Sequence, residues 1–144
     1  MKSLKSKDDF WKKTKSIYEA ITVKMPSSEH EEARRFFLQS TTSCVTTLYI
    51  MTNFFEDKLF TATDVCAQLS PNFGSKSSIV NFISSGLKKG YFCLQRCGKD
   101  KRKKYLFPQK EFIKIWCQFI SKAGGVPIDK SVNWNEVCSK PCNC

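Results

Sequence analysis

Phe10, Tyr18 and Ile21 recur at a helical interval near the start of the chain, among lysines at Lys7, Lys12, Lys13 and Lys15. The spacing predicts a first helix over 7–22. Pro26 interrupts the pattern, and Ser28 with Glu31 three residues on makes a capping-box start for another helix. From there Phe36, Phe37, Leu38, Val45, Leu48, Tyr49, Met51, Phe54 and Phe55 follow with no glycine or proline among them. The pattern predicts one long central helix over 28–56. Its many Ser and Thr residues have poor helix propensity, so packing must hold it.

A shorter apolar face, Val65, Cys66 and Leu69, follows Thr63 and Asp64, which are read as the cap and first turn of a short helix. Pro71 and Gly74 punctuate the chain, and Ser75 or Ser77 opens the next helix. Its Ile79, Phe82, Ile83 and Leu87 share one side; Lys76, Ser78, Asn81, Ser84, Ser85 and Lys88 lie largely outside it, with no acid among them. Gly90 is placed as its stop. "YFCLQRC" then alternates as a strand, "GKDKRKK" turns, and "YLF" returns to Pro108, which together predict a basic hairpin. A last amphipathic stripe, Phe112, Ile113, Trp116, Phe119 and Ile120, predicts a helix ended by Gly124 and Gly125, with a short helical turn at 133–138.

Composition narrows what such a chain can do. Its 144 residues suit a single domain over 1–144, and 41% hydrophobic residues with 12 phenylalanines supply a core. The formal charge of +11 draws nucleic acid, an anionic membrane surface or an acidic protein. The most apolar stretch, 45–55, is too short for a membrane span of roughly 20 residues, and the start lacks an apolar signal core. No membrane partner is expected, and the chain reads as a soluble cytoplasmic protein. Over 86–104 it holds eight basic residues against the single acid Asp100, a net +7 of the formal +11. Charge focused on one helix end and one hairpin is the footprint of a nucleic-acid binder.

A short helix, a turn, a second helix with a polar outer face and a basic hairpin form the order of a winged helix-turn-helix. The expected fold class is α+β, mainly helical, with the winged module at 60–108. Double-stranded DNA is the expected partner, with a recognition helix at about 75–89 in the major groove and a wing at about 96–104 at the minor groove. In this reading Ser77, Ser78 and Asn81 contact bases, while Lys76, Lys88, Lys99, Lys101, Lys103 and Lys104 hold phosphates; Arg96 and Arg102 complete the DNA-binding set.

The block "FTATDVCAQL … SKSSIVNFISSGLKKGYF … GKDKRKKYLFP" resembles the MarR-type winged-helix regulators, including their SarA-like branch. The resemblance implies a homodimeric, sequence-specific transcriptional regulator gripping a pseudo-palindromic operator, with dimerisation helices in 7–56 and 109–138. It places Thr61 at the opening of the first motif helix, Val65 and Cys66 where that family usually has an aliphatic residue and alanine, and Ile79, Phe82 and Ile83 at core positions of the recognition helix. Asp100, Lys101 and Arg102 match the wing signature, with Arg102 the minor-groove arginine. Gly86 stands where that family generally has leucine, which implies a bent or softened helix end, and "SPNFGS" is longer than the family's usual turn. Packing argues for a dimer as well, because the terminal and central helices carry more apolar stripe than a small winged module covers.

Two other functions fit the same fold: a sequence-independent architectural DNA-binding protein and a protein-interaction module. No enzyme is expected. His30 is the single histidine and reads as a surface capping residue, and no phosphate loop, nucleophile elbow or His-Glu metal motif occurs. The eight cysteines raise three alternatives: buried small hydrophobes, foremost Cys44, Cys66 and Cys117; a metal site from Cys138, Cys142 and Cys144 or from Cys93 and Cys97; and a redox-sensing thiol in the tail. No metal or cofactor is assigned, and a disulfide scaffold is not expected.

Overall fold

The computed structural model describes residues 3–98 and 100–141. In chain order they form α1 (Lys7–Thr22), α2 (Ser28–Leu38), α3 (Thr41–Phe55), α4 (Ala62–Leu69), α5 (Lys76–Lys89), β1 (Phe92–Arg96), β2 (Lys104–Pro108), α6 (Lys110–Gly124) and the single turn α7 (Trp134–Val137). The architecture is mainly helical with one small antiparallel hairpin. None of the described helices is long and apolar enough to cross a membrane.

The expected continuous helix over 28–56 is instead two helices. Ser40 stands in an extended conformation, and its hydroxyl accepts the Ser43 N–H at 3.1 Å and meets the Ser43 hydroxyl at 2.9 Å. A serine that caps a new helix competes with the backbone bonds that would have continued the old one. The second helix begins at Ser28 as expected, but its cap is Ser27, which accepts the His30 N–H at 3.2 Å, with the His30 ring 2.6 Å from the same oxygen.

Two adjacent phenylalanines of α2 project in different directions and, apart from Phe112, which both meet, serve different neighbours. Phe36 stacks on Phe82 of α5 at 4.4 Å between ring centroids and meets Tyr91 and Phe92 at the base of the hairpin. Phe37 makes edge contacts with Phe112, Trp116 and Phe119 of α6. A single hydrophobic cluster thereby runs from α6 through α2 and α3 to α4, α5 and the hairpin. Aromatic pairs at such spacings add to their burial energy and fix orientation.

At the other edge, α1 lies along α6 and buries Ala20. Arg34 of α2 is buried and ties down the end of α1, donating to the Ala20 and Val23 carbonyls at 3.1 and 2.6 Å while pairing with Glu31 at 2.7 Å. Lys13 donates to the Gly124 carbonyl at the C-terminus of α6, where the helix dipole favours a cation. The outer face of α1 is left uncovered: Phe10, Trp11, Ile17, Tyr18 and Ile21 are all exposed, Tyr18 at 65%.

Gly86 does not interrupt α5. The helix continues to Lys89, and Gly86 is buried where an added Cβ would overlap the Phe92 ring and stand 3.2 Å from Phe36. The missing side chain is the space that β1 occupies. Gly90 then ends the helix in the left-handed region at φ 78°, and Tyr91 N–H returns to the Gly86 carbonyl at 2.9 Å.

Candidate nucleic-acid interface

Thr61, rather than Thr63, caps α4. Its hydroxyl accepts the Asp64 N–H at 3.1 Å while the Asp64 carboxylate accepts the Thr61 N–H at 2.9 Å, a reciprocal capping box. Thr63 is exposed inside the first turn. Val65, Cys66 and Leu69 bury the inner face of α4. The turn to α5 is longer than two residues, yet it is anchored: the Thr42 hydroxyl of α3 donates to the Phe73 carbonyl at 2.7 Å. Gly74 permits this approach, because a Cβ there would lie 2.7 Å from the Thr42 hydroxyl oxygen, and its φ of 150° disfavours other residues.

Ser75 starts α5, accepting the Ser78 N–H at 3.1 Å and lying 2.8 Å from the Ser78 hydroxyl and 3.2 Å from that of Ser77. Ile79, Phe82, Ile83 and Gly86 face the core. Lys76, Ser77, Ser78, Asn81 and Lys88 are exposed. Ser77, Asn81, Ser84 and Lys88 follow one another at helical spacing and so share the side opposite the core. Ser78 departs from that stripe and belongs to the capping cluster. Val80, which the sequence reading passed over, is 40% exposed and lies beside Ser77 and Ser84. Its signal was available as the three- and four-residue spacing from Ser77 and Ser84. Lys89 points elsewhere, 3.4 Å from Glu32 of α2.

The hairpin pairs Phe92 with Pro108, Cys93 with Phe107, Leu94 with Leu106, Gln95 with Tyr105 and Arg96 with Lys104. Leu106 N–H also donates to the Phe60 carbonyl at 2.9 Å, attaching the hairpin to the segment that enters α4. Arg96 and Lys104, both exposed, are cross-strand neighbours at the loop end of the ladder. Like charges placed there repel, a cost that an anion between them would remove. In the loop beyond, Asp100 accepts from the Arg102 backbone N–H at 3.0 Å and from its Nε at 3.4 Å. The carboxylate thus shapes the turn while the Arg102 side chain is 94% exposed, and Lys101 and Lys103 are exposed on either side. Lys99 lies outside the described residues.

The remaining chemistry is sparse. Among the described residues, no group of three or more His, Cys, Asp or Glu side chains is placed to hold a metal ion; Cys142 and Cys144 lie outside the described residues. Cys66 is buried and Cys44 and Cys117 are half-buried free thiols. Burial, followed by the neighbouring Cys138, pushes the Cys117 thiol up to about 11, and burial also raises Cys138, whose Sγ is 3.9 Å from the Lys110 carbonyl. Neither is set up as a thiolate near neutral pH. Cys97 is buried at the end of β1 and is disulfide-bonded. Lys140 reaches back to the Cys93 sulfur at 3.4 Å and over the Phe107 ring, so the last described residues rest against the base of the hairpin.

Compared with protein-family models, curated proteins and solved structures, the chain matches none.

Proposed function

We propose that this chain is a MarR-like winged helix-turn-helix regulator that binds double-stranded DNA sequence-specifically as a homodimer. The observation that carries the reading is the pairing of an acid-free exposed stripe on α5 with a hairpin loop whose Lys101, Arg102 and Lys103 stand in solvent. In this reading α4 and its anchored turn brace α5, which enters the major groove. Ser77 and Asn81 then reach base edges, and Lys76 and Lys88 meet phosphates. Arg102, held at its base by Asp100, extends to the minor groove. The repulsion between Arg96 and Lys104 is relieved by backbone phosphate.

The exposed apolar face of α1 supports the dimer. A second copy covering Phe10, Ile17, Tyr18 and Ile21 removes these side chains from water, and a two-fold pair suits two half-sites about 34 Å apart. Selection from a random duplex pool with wild type and Arg102→Ala tests the reading. An enriched inverted repeat, bound more weakly by the variant, is the expected result. Binding without enrichment would replace it with an architectural role, and no binding would favour a protein-interaction module.

A further inference from the structure

We infer that Val80 is a specificity residue that recognises the 5-methyl group of thymine in the major groove. The inference rests on the proposed DNA-binding role of α5 and assigns it a chemical preference. Every other apolar residue of α5 packs inward: Ile79, Phe82 and Ile83 are buried and Leu87 is half-buried against the core. Val80 alone among them is an exposed large hydrophobic side chain, 40% accessible, and it stands between Ser77 and Ser84 on the edge of the polar stripe. A lone exposed valine is ordinary on a protein surface; its position beside Ser77 and Ser84, at the edge of the stripe proposed to enter the groove, gives this one a use. Asparagine makes its paired hydrogen bonds to adenine N6 and N7, and the thymine methyl is the apolar feature that the major groove offers. Successive helical residues project about 100° apart, so Asn81 within the stripe and Val80 at its edge offer one side chain suited to adenine and one suited to thymine.

Ser77 and Ser84 hydroxyls adapt to donors or acceptors and impose little choice of base. Lys76 and Lys88 are suited to phosphates. Val80 is therefore the apolar element of the stripe, and a cytosine at the same position, without a methyl, leaves it facing a polar amine.

The test uses the full chain and a duplex enriched by wild type from a random pool, resynthesised with uracil in place of thymine at one position at a time. Uracil keeps every hydrogen bond and removes only the methyl. Wild type is expected to lose about fourfold in affinity at one position per half-site, the scale of one buried methyl group. Val80→Ala is expected to bind the thymine duplex about as weakly as wild type binds that uracil duplex, with no further loss on the exchange. Val80→Thr, which keeps one methyl, is expected to retain sensitivity. Wild-type binding indifferent to uracil at every position would overturn the inference while leaving the DNA-binding reading intact, as would equal losses in wild type and Val80→Ala. Failure to bind DNA, or failure to enrich any sequence, would remove the reading beneath it.

Discussion

Gly86 shows how the absence of one side chain sets the position of the hairpin. The Phe92 ring occupies the volume a Cβ would take, with Phe36 closing the same space. Gly86→Ala is expected to destabilise the fold by about 1–3 kcal/mol, the usual cost of overpacking, even though alanine is the better helix former. Chemical denaturation of the two proteins measures it, and an unchanged or increased midpoint would contradict the account. Sequence pattern alone marks this glycine as a weak helix end, because the ring that needs the space comes from β1 and is invisible to helical periodicity. Arg34 follows a related logic. Its guanidinium is buried on two backbone carbonyls and the Glu31 carboxylate. Arg34→Met should cost about 2–4 kcal/mol by leaving those groups unpaired, measured in the same way.

At the scale of elements, serine and threonine hydroxyls cap the starts of α1 to α5. Ser40 separates α2 from α3, so Ser40→Ala is expected to lower stability by about 1 kcal/mol in a thermal melt, with no change expected if the two helices did not depend on that cap. The α1–α2 junction adds a pH dependence. The Met25 N–H, and then Arg34, holds the Glu31 carboxyl below its ordinary value. A carboxyl lowered by folding contributes stability above its unfolded pKa and loses it as pH falls through the folded value. Wild type should therefore lose stability on acidification through the carboxylate range more steeply than Glu31→Gln, and parallel pH profiles would contradict this. The elements with strong apolar periodicity, α1, α5 and α6, and the alternating hairpin were legible in the sequence. The break at Ser40 was not, because the run "QSTTS" satisfies helix spacing and capping chemistry equally well. The candidate interface was legible as charge and as an acid-free face; the place of Val80 within it emerged only once the core-facing residues of α5 were known.

Over the whole molecule, the candidate DNA-contacting residues and the main run of exposed apolar side chains lie on different elements. The former sit on α5 and the hairpin, whereas Phe10, Trp11, Ile17, Tyr18 and Ile21 sit on α1, interleaved with lysines. The proposed dimer covers the second set and leaves the first for DNA. Ile17→Glu with Tyr18→Glu is expected to halve the mass seen by sedimentation equilibrium without unfolding the chain, since both side chains are exposed; a monomeric wild type would contradict the dimer. The most direct test of the central claim is the salt dependence of binding to duplex DNA. Wild type is expected to lose affinity linearly in log–log form, by about 0.9 for each phosphate contacted, with Lys88→Ala reducing the slope by about 1. Binding insensitive to salt, or no binding at low salt, would contradict a DNA-binding role.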